Sequence, residues 1–178
     1  TGGTGSGTVS YAYGLAGTAG VTFNLVASTA QATGGSGSDT LLSIENLIGS
    51  AYADKLTGNS GANSLSGAAG NDTLDGGTGI DTMAGGDGSD FYYVRDTGDV
   101  VSETNATTST GGTDTVYSTL AAYTLTANVE NGRILSTTAA NLSGNSGNNV
   151  LYASAGNNLL DGGTGTDTVS YAYGLAGT

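Results

Sequence analysis

Residues 67–93 read GAAGNDTLDGGTGIDTMAGGDGSDFYY, and they decide the fold because they repeat with a period of nine. Cut in register from Gly49, the chain gives GSAYADKLT, GNSGANSLS, GAAGNDTLD, GGTGIDTMA and GGDGSDFYY, ending at Tyr93. The sixth position is Asp54, Asn63, Asp72, Asp81 and Asp90. The eighth is Leu56, Leu65, Leu74, Met83 and Tyr92. A second series from Gly144 gives GNSGNNVLY, ASAGNNLLD and GGTGTDTVS, with Leu151, Leu160 and Val169 at the eighth position. LSTTAANLS before it keeps Leu142 in phase without the acid, and GGSGSDTLL at 34–42 stands alone.

Six residues rich in Gly, Asn and Asp form a turn, because Gly and Asn accept positive φ cheaply. The next three form a short strand whose middle side chain points inward. Turn plus strand reverses the chain, so two nonapeptides make one coil. Leu56, Leu74 and Tyr92 then stack on one wall, and Leu65 and Met83 on the other.

Composition alone argues against any fold. Thirty-three glycines carry a heavy entropic cost on ordering, and 15 acids against 3 bases leave a formal charge of −12. Low hydrophobicity with high net charge marks disorder. Regular leucines and 10 tyrosines point the other way, so a stabilising agent beyond the side chains is required. Adjacent strands lie about 4.7–4.9 Å apart, which would bring Asp72 over Asp90. Carboxylates that close repel by several kcal/mol at an effective dielectric near 20. Half that spacing is about 2.4 Å, and calcium takes oxygen ligands at about 2.3–2.6 Å. A Ca²⁺ between turns would meet one carboxylate and a few turn carbonyls from each, whereas Mg²⁺ prefers shorter octahedral contacts. Solvated turn aspartates are the bland alternative for Asp72, Asp81 and Asp90. Asp75, Asp87, Asp96 and Asp161 are expected to be solvated surface.

With no cysteine and no histidine, disulfides, thiol chemistry and His-based triads are excluded. Two carboxylates suffice for a glycosidase, but acids that recur periodically suit a scaffold, so no enzymatic activity is expected. Lys55, Arg95 and Arg133 are the only bases, which excludes phosphate-backbone binding to nucleic acid. No apolar run is long enough for a membrane span. Coarsely, 8–26, 91–103 and 114–134 read as strands, and SIENLI (43–48) leads in phase into the first ladder through Leu47. A longer period is also present: TGSGTVSYAYGLAGT at 4–18 returns as TGTDTVSYAYGLAGT at 164–178, 160 residues on. It suggests tandem modules of that length.

GGSGSDTLL, GGTGIDTMA, GGDGSDFYY and GGTGTDTVS match the pattern G-G-x-G-x-D-x-U-x, where U is a large apolar residue. In this the chain resembles the RTX, or haemolysin-type, calcium-binding nonapeptide proteins. DTVSYAYGLAGTAGVTFNLV, SIENLIGSAYADKLTGN, YYVRDTGDVVSE and TLTANVENGRIL also resemble segments that border such repeats in large secreted bacterial proteins. The resemblance implies an all-β parallel β-roll, a calcium-binding β-solenoid, in two short stacks with flanking strands. The expected division is N-terminal flanking strands at 1–48, a first roll at 49–93, a connecting β segment at 94–134, a second roll at 135–170, and the start of a further module at 171–178.

Carried over from the family, one turn gives carbonyls from its first and third residues, the next coil gives those of its second and fourth, and both give position six. Gly67, Ala69 and Asp72 would face Gly86, Gly88 and Asp90. Gly49, Ala51 and Asp54 would face Ala68, Gly70 and Asp72. Gly76, Thr78 and Asp81 would face Asp99, and Gly58, Ser60 and Asn63 would face Gly77, Gly79 and Asp81. Gly163, Gly165 and Asp167 complete the set, with only Asn149 one coil back. Asn63, Asn149 and Asn158 replace the acid, so weak or empty sites are expected there, and Asp39 has no stacked partner in phase. The implied function is a calcium-folded structural module of a secreted or cell-surface Gram-negative protein: a spacer or stalk, or a folding aid after type I secretion. Its partners would be calcium ions and neighbouring modules of the same chain. A carbohydrate-binding accessory module of an extracellular polysaccharide-modifying enzyme is the alternative. Tyr11, Tyr13, Tyr171 and Tyr173 could stack on sugars, although packing of flanking strands is the preferred role.

Overall fold

The computed structural model describes residues 5–13, 19–34, 37–105 and 110–171. Among them every regular element is a short strand. In chain order these are β1 (Thr8–Ser10), β2 (Thr22–Asn24), β3 (Gln31–Ala32), β4 (Ser38–Asp39), β5 (Asn46–Ile48), β6 (Lys55–Thr57), β7 (Ser64–Ala69), β8 (Thr73–Asp75) and β9 (Thr82–Asp87). They continue with β10 (Phe91–Val94), β11 (Val100–Ser102), β12 (Thr115–Ser118), β13 (Ala122–Thr124), β14 (Asn131–Ile134), β15 (Asn141–Ser143), β16 (Val150–Tyr152), β17 (Leu159–Asp161) and β18 (Thr168–Ser170). Apart from β3 and β4, which pair as a separate antiparallel hairpin, successive strands alternate between two walls, as a turn-plus-strand repeat requires, and the coils stack into a parallel β-solenoid of about seven turns.

One wall is a parallel eight-stranded sheet in the order β18-β16-β14-β12-β10-β8-β6-β2. The other is split into β1-β5-β7-β9-β11 and β13-β15-β17. Registers place Leu56 beside Leu74, Leu74 beside Tyr92, and Leu65 beside Met83, as the eighth-position ladders predict. Phe23, Leu47, Leu56, Leu65, Leu74, Met83, Tyr92, Val101, Val116, Leu142 and Leu151 form the buried spine. Each leucine buried there contributes about 1.5–3 kcal/mol. The core is one side chain thick per wall.

The two expected stacks remain separate sheets on one wall and run together on the other. β12 and β14 come from the segment expected to connect two rolls, yet they carry the long sheet through without a gap. The spacing between stacked residues departs from eighteen here: Tyr92 meets Val116 and Val116 meets Gly132. The spacing is 24 residues in the first case and 16 in the second, yet β12 and β14 each keep a buried middle residue, so the sheet tolerates the irregular period. The N-terminal strands also belong to the solenoid, since Val9 pairs with Leu47 and Phe23 with Leu56. Tyr11 stacks on Phe23 with ring centroids 4.7 Å apart, in the packing role preferred for it. Tyr13 and Tyr171 are exposed, and Tyr173 lies outside the described residues.

Candidate metal centre

The short strands put every sixth-position residue at the same point, where a turn enters a strand. Along the long sheet this row is Asp54, Asp72, Asp90, Asp114, Glu130, Asn149 and Asp167. The backbone N–H groups of Asp54, Asp72, Asp90, Asp114 and Asn149 each reach a side-chain oxygen one coil further on. Asp54 N–H donates to Asp72 Oδ1 at 2.7 Å, Asp72 to Asp90 at 2.7 Å, and Asp90 to Asp114 at 2.8 Å. Asp114 donates to Glu130 Oε2 and Asn149 to Asp167 Oδ1, both at 2.8 Å. On the other wall Asn63 N–H donates to Asp81 Oδ1 at 2.8 Å, and Asp81 to Asp99 Oδ1 at 3.1 Å. One oxygen of each carboxylate is thus spent on holding the coils together.

The second oxygen separates the sites. Asp72 Oδ2, Asp81 Oδ2 and Asp90 Oδ2 are buried and have no hydrogen-bond partner. They face the first residue of their own turn: a Cβ added at Gly67, Gly76 or Gly85 would lie 2.0–2.3 Å from them. The turns above and below are in contact as well. A Cβ on Gly86 would sit 2.3 Å from the Ala68 carbonyl oxygen, and one on Gly88 would sit 1.9 Å from that of Gly70. Gly77 and Gly79 abut the carbonyls of Asn59 and Gly61 in the same way. The three carboxylate oxygens are thus left without a protein donor, in turns that stack through backbone carbonyl oxygens. An all-oxygen set of this kind fits a hard cation of calcium's size and offers no nitrogen or sulfur to a softer metal. When bound, the ion would supply charge neutralisation and cross-linking of coils.

Other expected sites differ. Asp54 Oδ1 already accepts from Val21 N–H and the Ser50 hydroxyl, and its Oδ2 accepts from Ser50 N–H. Those contacts compete with a cation at the turn of Gly49 and Ala51. Asp99 Oδ2 is likewise taken, by Arg95 and Asp96 N–H. Asn63 Oδ1 accepts from Asn59 N–H and its Nδ2 donates to the Glu45 carbonyl, beside Gly58 and Ser60. Asn149 and Asn158 also donate to turn carbonyls, so their amides do locally what an ion would do. In the last turn Gly163 and Gly165 hold positive φ beside the backbone of Gly144, Asn145 and Gly147, and Asp167 is half-buried. Asp39 leaves the stack altogether and accepts from the Tyr11 hydroxyl at 2.8 Å. Ala69 and Thr78 sit in the stacked turns, Ala69 paired with Asp87 across the coils. Asp75 is not free surface, since Arg95 grips it bidentately at 2.7 and 2.9 Å.

The long-sheet row is longer than its sequence signal. Asp114 lies two residues before Val116 in GGTDTVY (111–117), which preserves the sixth and eighth positions of the motif. Glu130 stands two before Gly132 in the same relation. Glu103, which the fold carries to this row from the far wall, has no such signal.

Burial pushes Asp72 up to about 8, Asp114 to about 7, and Asp81 and Asp90 to about 6; neighbouring carboxylates add to the effect in each case. Without calcium the folded chain therefore holds protons that the unfolded chain has released between about pH 4 and pH 8. Stability in EDTA is expected to fall as pH rises across that window, whereas the stabilisation that added calcium brings is expected to grow, because the ion binds the charged form and leaves the bound chain nearly independent of pH there. Melting curves at pH 5 and pH 8 check both signs; parallel trends with and without calcium would contradict the assignment.

A search of curated proteins finds no significant match to the chain. The family model of the RTX calcium-binding nonapeptide repeat, in four copies, matches residues 43–74, 66–101 and 139–170, just over half of the chain. Those ranges hold both the apolar ladders and the unpartnered carboxylates, and the chain belongs to the RTX calcium-binding nonapeptide repeat family.

Proposed function

We propose that this calcium-binding structural module folds outside the cell, on meeting calcium, and serves as a spacer or stalk in a secreted or surface protein. The unpartnered, buried Oδ2 atoms of Asp72, Asp81 and Asp90 carry the proposal. They make the folded state costly without a cation, so calcium decides when the chain is compact. Extracellular calcium modules work at about 10⁻⁴–10⁻³ M, well above what a cytosol offers. A chain of this kind would leave the cell loose, as type I secretion requires, and fold on arrival. The stalk role draws on β18, the second copy of TVS, which is already stacked on β16 as the next strand of the long sheet. Modules can then follow one another coil on coil.

One observation favours the polysaccharide-binding alternative. Phe91, Tyr93 and Tyr117 stack on the outer face of the long sheet at 5.9 and 5.1 Å, with Arg95 and Arg133 over the rings. Flat aromatic platforms flanked by polar groups suit sugar rings. The test of the main reading is the hydrodynamic radius of the chain as calcium is raised from trace to about 10⁻³ M. Collapse from an expanded to a compact particle is expected; a compact chain at trace calcium would contradict it. Retention on a polysaccharide matrix that Tyr117→Ala abolishes would favour the alternative.

A further inference from the structure

The matched repeats stop at residue 101 and resume at 139, and between them the fold gathers three buried carboxylates: Asp90, Glu103 and Asp114. Their ligand atoms all lie within 4.8 Å of one another. Oxygens bound to one calcium at about 2.3–2.6 Å can be at most about twice that distance apart, so one ion could touch all three. Asp90 and Asp114 are successive sixth-position residues of the long sheet. Glu103 is different. It follows β11, the last strand of the first wall before that wall breaks, and enters from the opposite side of the coil.

Glu103 is 7% exposed, and its Oε2 has no hydrogen-bond partner; neither has Asp90 Oδ2. Its other oxygen is held. The Tyr92 hydroxyl donates to Glu103 Oε1, and Gly85 N–H donates to that hydroxyl at 2.7 Å. Tyr92 stands where the other nonapeptides place Leu, Met or Val, and its hydroxyl holds Glu103. The Asn128 amide fixes the Glu103 carbonyl at 2.9 Å. A buried carboxylate is kept in one place with one oxygen left over, which is how a ligand is presented and not how a structural acid is satisfied.

We propose that Asp90, Glu103 and Asp114 bind a calcium ion outside the nonapeptide scheme, the tightest in the molecule. It clasps the end of the first wall to the long sheet. Three carboxylates face this ion where the repeat supplies two, and calcium affinity rises with ligand charge count. The clasp lies where the register slips from 18 to 24 residues.

The proposal rests on the chain being a calcium-binding module, and the test separates the two. Calcium titration calorimetry compares the whole chain with Glu103→Gln, which keeps the shape and the acceptor for Tyr92 but loses the charge. One ion fewer, or a tightest class weakened roughly tenfold or more with the other sites unchanged, is expected. In EDTA the variant should melt no lower than the parent, since an uncompensated buried charge is gone. Identical isotherms overturn the clasp. So does an equal fall in melting temperature with and without calcium, which would leave Glu103 as a hydrogen-bond acceptor for Tyr92 alone. A parent chain that takes up no calcium removes both readings.

Discussion

Asp72→Ala is expected to unfold the roll at calcium concentrations that leave Asp39→Ala folded. Asp72 stands between Asp54 and Asp90 in the row, so its carboxylate can serve the turn below and the turn above. Alanine removes two things. Asp54 N–H loses its acceptor at a buried position, which costs about 1–3 kcal/mol. Calcium linkage also fails, at about 2.7 kcal/mol per site when the ion stands at a hundred times its Kd. Asp39 only accepts from Tyr11 in a hairpin beside the stack. Its removal touches no turn of the roll. Calcium midpoints from circular dichroism decide the matter, and equal midpoints in the two variants would sink the assignment. Asp72→Asn sharpens the comparison, because it keeps an acceptor for Asp54 while losing the charge.

Gly88→Ala should be the most damaging change that leaves every charge in place. The residue has φ of 124°, outside what an L side chain adopts comfortably, and a Cβ there would lie 1.9 Å from the Gly70 carbonyl oxygen. The obstructing atom is backbone in the neighbouring coil, so it can move only by separating the turns. Strain of about 1–2 kcal/mol from the handedness of the backbone adds to about 1–3 kcal/mol of overpacking. Because that separation also spreads the oxygens of the Asp72 and Asp90 turns, calcium should recover little of the loss. Gly61→Ala is the control: its φ is not positive and its nearest contact is the Asn59 side chain at 3.3 Å. If the two variants melt together, the turns are not stacked as described.

What could be foreseen was whatever repeats. Asp72 over Asp90 follows from counting nines, since both the inward leucine and the turn acid recur in phase, and the structure keeps that register. Asn63 and Asn149 were legible as weak points for the same reason, and their amides close the turns. The rest was hidden wherever chain length between strands varies. Val9 and Phe23 form the first coil, but residues 25–44 intervene before Leu47 and erase the period. Gly132 occupies an eighth position with no side chain at all, and Leu125 and Leu142 fill the space against it. A pattern search for a large apolar residue passes over it. Glu103 reaches Asp90 and Asp114 only because the coil closes, a contact that no spacing encodes. Backbone pairing forgives insertions between strands; periodicity does not.

The central claim is that this fold needs calcium. Far-ultraviolet circular dichroism of the purified chain, with thermal melting in EDTA and in stepwise added Ca²⁺, tests it most directly. The expected result is a weaker β signal and a low melting temperature in EDTA and a cooperative gain on adding calcium, with a melting temperature that climbs as the concentration rises. A β spectrum and melting temperature that ignore both EDTA and calcium would show that the buried carboxylates are stabilised by some other means, and the account would be wrong.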